Sequence, residues 1–502
     1  MLYESQTGLT QRESQVNRFA GDMLVCLLFF FMIHGYQILK LGLYWDDMDD
    51  LNSPLNGLYV AQGRFVVALY RMIAGNIQMV PFAYGVSCAV YYALAVTLQL
   101  RILHITDTWA RIMYMATCMA LVPMVNCTGL ADAVLLGVFF VTLGYYCYQQ
   151  WRESGKWLWG IFSLGAAVAG TCCYQVHVFL FGLLAVGDIL RGNSDETPRQ
   201  CMRRLVLPIL LMGATTAAYI LLKYISIRIM IRLDDDWVSH LSRVKYYQAS
   251  LIGWQNAPVS ANVQAICQTL GKLATGQLRG AWLFPLTTLP TLALVWRWRR
   301  QPMKIVLLGA LWLLPLVPLF MLGLGASGQA FARLSFHNAV PMAIVWALWL
   351  ENTEWLKRRA PDILPAILAL STVLAASYRV SASAFQTKRI YEYSVRKVQD
   401  IMMAVYHADL PPGVHPADTP IVLVGGFPFH GGNTCKEGYA TQFNDSRLFK
   451  INGMDKVSSC MEYDIPAKLR EEVNQMPAFP QSGSIRYMEG KIWVHCPESA
   501  TW

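Results

Sequence analysis

The chain has 502 residues, of which 55% are apolar and only 15% charged, against roughly 45–50% and about 25% in soluble domains. That balance excludes an ordinary water-soluble globular protein. Lys and Arg number 41 against 32 Asp and Glu, a net charge of +9, but the excess is spread between apolar blocks rather than gathered on one basic arm, so a nucleic-acid partner is excluded as well. Twelve Cys are too sparse for a disulfide scaffold.

The apolar residues come in blocks. Met23 to Leu39 follows a polar stretch with Arg12 and Arg18, has no small-residue cleavage site behind it, and reads as an uncleaved first span. Further blocks run Val80 to Leu100, Ile112 to Val125, Leu130 to Tyr148, Trp157 to Cys173, Val176 to Leu190, Leu205 to Leu222, Ala281 to Trp296, Ile305 to Leu324, Phe336 to Leu350 and Ile363 to Tyr378. The fold expected is an all-α polytopic membrane bundle of about 11 transmembrane helices, spanning residues 1–379. With the N-terminus cytoplasmic, the even-numbered connections carry Arg101 and Arg111; Arg152 and Lys156; Arg191, Arg199, Arg203 and Arg204; Arg297, Arg299, Arg300 and Lys304; Lys357, Arg358 and Arg359. Every one is basic, as the positive-inside rule requires. Against this, the loop 223–280 falls outside and still holds seven basic residues, although loops of that length obey the rule poorly.

After Arg379 the composition shifts to Pro411, Pro412, Gly425, Gly426, Gly431 and Gly432, and residues 380–502 read as a small exported α/β domain. It should contain a buried strand Ile421 to Val424, a helix near Ala467 to Gln475 and a hairpin Ile485 to Val494 turning at Glu489-Gly490. No internal repeat or low-complexity tract is evident.

On this parity the polar chemistry lies outside. The first outer loop, within 41–79, reads Tyr44-Trp45-Asp46-Asp47-Met48-Asp49-Asp50, then Gln62-Gly63-Arg64 and an apolar stretch to Ile73 that would lie in the membrane interface with Arg64 and Arg71 on its wet side. Four carboxylates within five positions repel one another and persist only if solvated, paired with cations or bound to metal. A divalent metal therefore stays open as a cofactor; no other cofactor is implied. Besides a hydrated loop, the pattern offers a catalytic base at the membrane surface, where a carboxylate takes the proton of a sugar hydroxyl and an Arg holds a phosphate leaving group.

A first span followed by Asp46-Asp47, then Gly63-Arg64, resembles the serotype-converting O-antigen glucosyltransferases of temperate bacteriophages and their bacterial relatives, which are GT-C-class membrane glycosyltransferases. Asp132, in Thr128-Gly129-Leu130-Ala131-Asp132, matches an Asp that the family carries after a short outer turn. Tyr174-Gln175 matches a Tyr-Gln pair at the outer end of a later span, and Arg333 matches an outer Arg before a late span. The likeness covers the first 190 residues; beyond them only the layout fits. It implies a GT-C-like bundle in the bacterial inner membrane with a periplasmic C-terminal domain. It further implies transfer of glucose from a polyprenyl-phosphate-glucose donor to an O-antigen (lipopolysaccharide) acceptor, alongside a donor synthase and a small flippase. In that reading Asp47 is the base, Asp46 its support, and Arg64, Asp132, Tyr174, Gln175 and Arg333 contact substrate.

Other features rank lower. Gly323-Leu324-Gly325-Ala326-Ser327-Gly328 fits G-x-G-x-x-G but ends a membrane span rather than a strand. Asp234-Asp235-Asp236 reads as a solvated turn or a partner for Arg232. His430, Cys435, Cys460, His495 and Cys496 offer zinc donors in no recognisable spacing, and a disulfide between two of the three Cys is favoured in an oxidising compartment. A lipid-linked sugar flippase would place its polar residues at mid-membrane on broken helices, whereas here they are extramembranous. An O-antigen polymerase remains an alternative.

Overall fold

The computed structural model describes residues 2–39, 56–73, 81–122, 131–192, 197–233, 257–277, 282–322, 339–353, 362–425, 456–459 and 467–496, together with 254, 337, 449 and 454. The chain divides into two compact units, the first of Met1–Ile38 with Leu55–Ser381 and the second carrying Ala382–Trp502.

The first unit is helical among the described residues. In order, its helices are α1 Leu2–Leu39, α2 Asn56–Ala61, α3 Phe65–Ile73, α4 Pro81–Ile102, α5 Thr108–Ala120, α6 Ala131–Ser154, α7 Trp157–Cys173, α8 Val178–Arg191, α9 Pro198–Leu233, α10 Val259–Ala274, α11 Phe284–Arg297, α12 Pro302–Leu313, α13 Val317–Leu322 and α14 Ala339–Asn352. A long helix, α15 Ile363–Tyr406, continues into the second unit.

Among the described residues, five stretches are long and apolar enough to cross a bilayer: Val16–Leu39, Ala83–Ile102, Pro198–Arg232, Pro302–Met321 and Ile363–Tyr406. This is the pattern of a helical membrane protein, and it corrects the expectation of eleven spans. The reason is length and setting. At about 1.5 Å per residue, the 13 residues of α5 and the 14 of α8 and α14 reach only about 20 Å, short of the roughly 30 Å hydrocarbon layer. These three are buried along nearly their whole length, so their apolar runs face other helices. The 17-residue α7 is apolar but short, and α6 has the length but dilutes its apolar residues with Thr142, Gln149, Gln150, Arg152 and Glu153. The alternation of basic connections loses its span count accordingly.

Small residues and buried polar contacts knit the bundle. Helices α6 and α7 form an antiparallel hairpin in which a Cβ on Gly170 would lie 2.7 Å from the Gly137 carbonyl oxygen, the close approach that glycine permits between helices where apolar packing has no water to exclude. Gln99 of α4 joins its neighbours: its Nε2 donates to Thr142 Oγ1 of α6 at 3.2 Å, and its Oε1 accepts from Tyr114 Oη of α5 at 2.9 Å. Asp107 caps α5 by accepting from the Ala110 amide at 3.0 Å.

The second unit is a small α/β layer structure. Strands β1 Ile421–Val424, β2 Val457–Ser459, β3 Ile485–Met488 and β4 Lys491–His495 form a sheet ordered β2-β1-β4-β3, with β1 parallel to both neighbours and β3 antiparallel to β4. All four residues of β1 are buried, as a central parallel strand covered on both faces must be. Ile421, Leu423, Ile492 and Val494 pack with Val398, Ile401 and Val405 of α15; Val422, Val424 and Trp493 pack with Leu469, Val473 and Met476 at helix α16, Ala467–Asn474. The expected strand, helix and hairpin are all found. The hairpin turns through Glu489 at φ 47° and Gly490 at φ 77°, the left-handed pair that a two-residue turn requires.

Candidate functional site

The Gln62-Gly63-Arg64 segment is a turn between α2 and α3, closed by Gly63 N donating to the Val60 carbonyl at 2.8 Å and Arg64 N to the Tyr59 carbonyl at 2.7 Å. Gly63 has φ +81°, and a Cβ there would lie 2.2 Å from Tyr219 Oη and 3.0 Å from Lys223 Cδ of α9. Only glycine satisfies both the backbone and the space. Arg64 is partly buried, with Cζ 4.9 Å from the centroid of the Tyr174 ring. Arg71 stacks on Tyr59 at 4.8 Å.

Tyr174 ends α7, where its φ of −156° and ψ of 122° break the helix, and Gln175 opens the one-turn 3-10 segment Gln175–His177 that leads into α8. Gln175 Nε2 donates to the Gln62 carbonyl, 113 positions away in sequence, and Gln175 also bonds Tyr219. The Gly-Arg turn and the Tyr-Gln pair are therefore joined, with α9 completing the cluster.

Two histidines lie beneath. His177 and His337 are fully buried, with ring centroids 5.3 Å apart and Tyr174 5.6 Å from His177. His177 rests against the Val134 backbone, yet neither of its nitrogens, nor Nε2 of His337, has a well-formed hydrogen bond among the described residues. Arg64 Nε and Gln62 Oε1 are likewise buried without partners. No ion pair joins Arg64 or Lys223 to a carboxylate among the described residues. Chemically, this is a cationic, aromatic and amide-bearing cluster in a low-dielectric bundle, with groups of the kind that bind a phosphate and sugar hydroxyls.

Compared with known proteins, the chain has no match among family profiles, curated proteins or solved structures.

The remaining sequence candidates divide simply. Asp132 lies in the first turn of α6, the end of that helix that pairs with the Tyr174 end of α7; its side chain lies outside the described residues, as do Asp46, Asp47, Arg333, Asp234-Asp235-Asp236, the 323–328 glycines, His430, Cys435 and Cys460. Cys496 is buried. His495 Nδ1 donates to the Met476 carbonyl at 2.7 Å, which gives it a structural task in the second unit. Among the described residues no group of three or more His, Cys, Asp or Glu is placed to hold a metal.

The sequence reading did not single out His177, Tyr219, Lys223 or His337, and it gave Gln62 no role beyond its place in the Gln62-Gly63-Arg64 segment. Lys223 was read as the start of a loop because the apolar run stops at Leu222, but α9 continues to Leu233. Tyr219 and Lys223 stand four apart, the spacing that puts two side chains on one helix face, and that was the available signal.

Proposed function

We propose that the protein is a membrane glucosyltransferase that moves glucose from a polyprenyl-phosphate donor to an O-antigen sugar on the periplasmic face of the bacterial inner membrane. What supports the reading is the union of two segments that the resemblance singles out separately: the Gly63-Arg64 turn and Tyr174-Gln175, joined through Gln175 and the Gln62 carbonyl. The union leaves a guanidinium whose buried Nε has no partner among the described residues, next to an ammonium-bearing helix, and such cations call for an anion. A lipid-borne phosphate approaching from the bilayer meets that need.

In this mechanism the acceptor hydroxyl oxygen attacks the anomeric carbon of the donor. The bond from that carbon to the phosphate oxygen breaks, and its electron pair leaves with the polyprenyl phosphate. Asp47 takes the hydroxyl proton while Asp46 supports it. Arg64, assisted by Arg333, holds the leaving phosphate through charge-assisted bonds. Tyr174, Gln175 and Asp132 position sugar hydroxyls.

The test is glucose transfer in vesicles holding the purified chain, polyprenyl-phosphate-glucose and lipid-linked O-antigen. Asp47→Asn should lower the rate by about 10²–10⁴ at unchanged protein level, with Asp49→Asn and Asp50→Asn milder. Full activity of both Asp46→Asn and Asp47→Asn would remove the base and with it the enzyme reading.

A further inference from the structure

An open cationic recess lies between the end of α11, the start of α12 and the end of α14. It has a volume of about 700 Å³ and its lining includes Trp296, Arg297, Arg299, Arg300, Gln301 and Trp349, with no carboxylate among its described lining residues. Another recess, by α1 and α4, differs: it also holds arginines, but Asp22 and Glu153 share its wall and Arg111 pairs with Asp22. Three guanidiniums within four positions exceed what one helix C-terminus uses to satisfy its last carbonyls. A basic turn that merely orients the chain needs charge, not a cavity.

The surroundings say what kind of anion belongs there. Leu289, Leu292 and Trp296 are 70%, 59% and 71% exposed, and their spacing of three and four places them on one face of α11. They form an apolar track that ends at the arginines, where Arg299 sits 4.6 Å over the Trp296 ring. An anion with acyl chains fits this track and a free phosphate does not use it. In its lining, Gln301 Oε1 is buried with no hydrogen-bond partner among the described residues, an acceptor that needs a donor. A glycerol headgroup carries that donor beside its phosphate.

We infer that this recess binds an anionic phospholipid of the phosphatidylglycerol type, with its phosphodiester among Arg297, Arg299 and Arg300, a headgroup hydroxyl on Gln301, and a chain along Leu289, Leu292 and Trp296. Basic pockets between membrane helices bind acidic headgroups in this way. The site is separate from the Arg64 cluster and does not depend on the proposed transferase reaction.

The test is a lipid titration of the purified full-length chain in detergent, read by native mass spectrometry, with phosphatidylglycerol, phosphatidylcholine and inorganic phosphate as probes. Phosphatidylglycerol should bind in clear preference to phosphatidylcholine, and Arg299→Gln with Arg300→Gln should weaken it by about thirty-fold. Both residues are exposed, so the fold stays intact. Arg199→Gln with Arg203→Gln removes the same charge from another exposed region and should leave the preference unchanged. Equal binding of the two lipids, the same loss in both double variants, or displacement of phosphatidylglycerol by millimolar phosphate would each overturn the inference.

Discussion

The two ends of helix α8 use arginine in opposite ways. At its C-terminal end Asp188, only 4% exposed, accepts from Tyr145 Oη at 3.1 Å and Arg152 Nη1 at 3.3 Å and pairs with Arg204 Nη2 at 3.6 Å. One turn on, Arg191 pairs with Glu351 at 2.6 Å. At the N-terminal end, at least about 15 Å away along the helix, Arg64 lies on a tyrosine ring and Lys223 on a glycine turn, with buried imidazoles beneath. Both ends carry cations in an apolar bundle, but only one supplies the counter-charge from the described chain. Paired charges of that kind hold helices together; cations left over are the ones available to a ligand. The contrast locates the candidate site more firmly than either end does alone.

The comparison breaks most sharply at Asp188. Asp188→Ala removes the buried carboxylate shared by Arg152, Arg204 and the Tyr145 hydroxyl, which should cost about 3–5 kcal/mol, seen as a large drop in melting temperature and in the amount of protein in the membrane. Arg64→Ala should leave melting close to wild type while abolishing transfer. A chain that melts normally without Asp188 would show that the paired end is not structural.

Gly63→Ala comes next. It adds a methyl against Tyr219 and Lys223 and forces an L-residue to φ +81°, a strain of about 1–3 kcal/mol that displaces Arg64. Activity should fall further than melting does. The proposed phosphate contact of Arg64 gives the next smaller effect: Arg64→Lys keeps the charge and loses the planar fork, so on that proposal the KM for the donor should rise by about ten-fold, the value of one charge-assisted hydrogen bond, with kcat less affected. An unchanged KM would take Arg64 away from the phosphate. Lys223→Gln should raise the donor KM by a smaller factor, and a change in thermal stability without one would make Lys223 a packing residue. Smallest of all, Arg203→Gln at an exposed position should move stability by less than about 0.5 kcal/mol.

Much of this chain is written locally. The unbroken apolar run Ile421–Val424 and the Glu489-Gly490 turn follow from backbone rules that act over a few residues, and the strand and hairpin appear where those rules put them. The long apolar runs of α1, α4, α9, α12 together with α13, and α15 likewise announce membrane-length helical stretches. Apolar runs in α5, α8 and α14 do not announce what they are: a helix hidden inside a bundle and a helix facing lipid present the same hydropathy, and only length and neighbours separate them. The sequence also picks out Gly63-Arg64 and Tyr174-Gln175 as separate motifs. That they touch, that Tyr219 and Lys223 close the turn, and that His177 meets His337 depend on contacts between residues far apart in the chain. No local pattern carries such contacts, because they are set by which helices pack together; tertiary structure alone decided them.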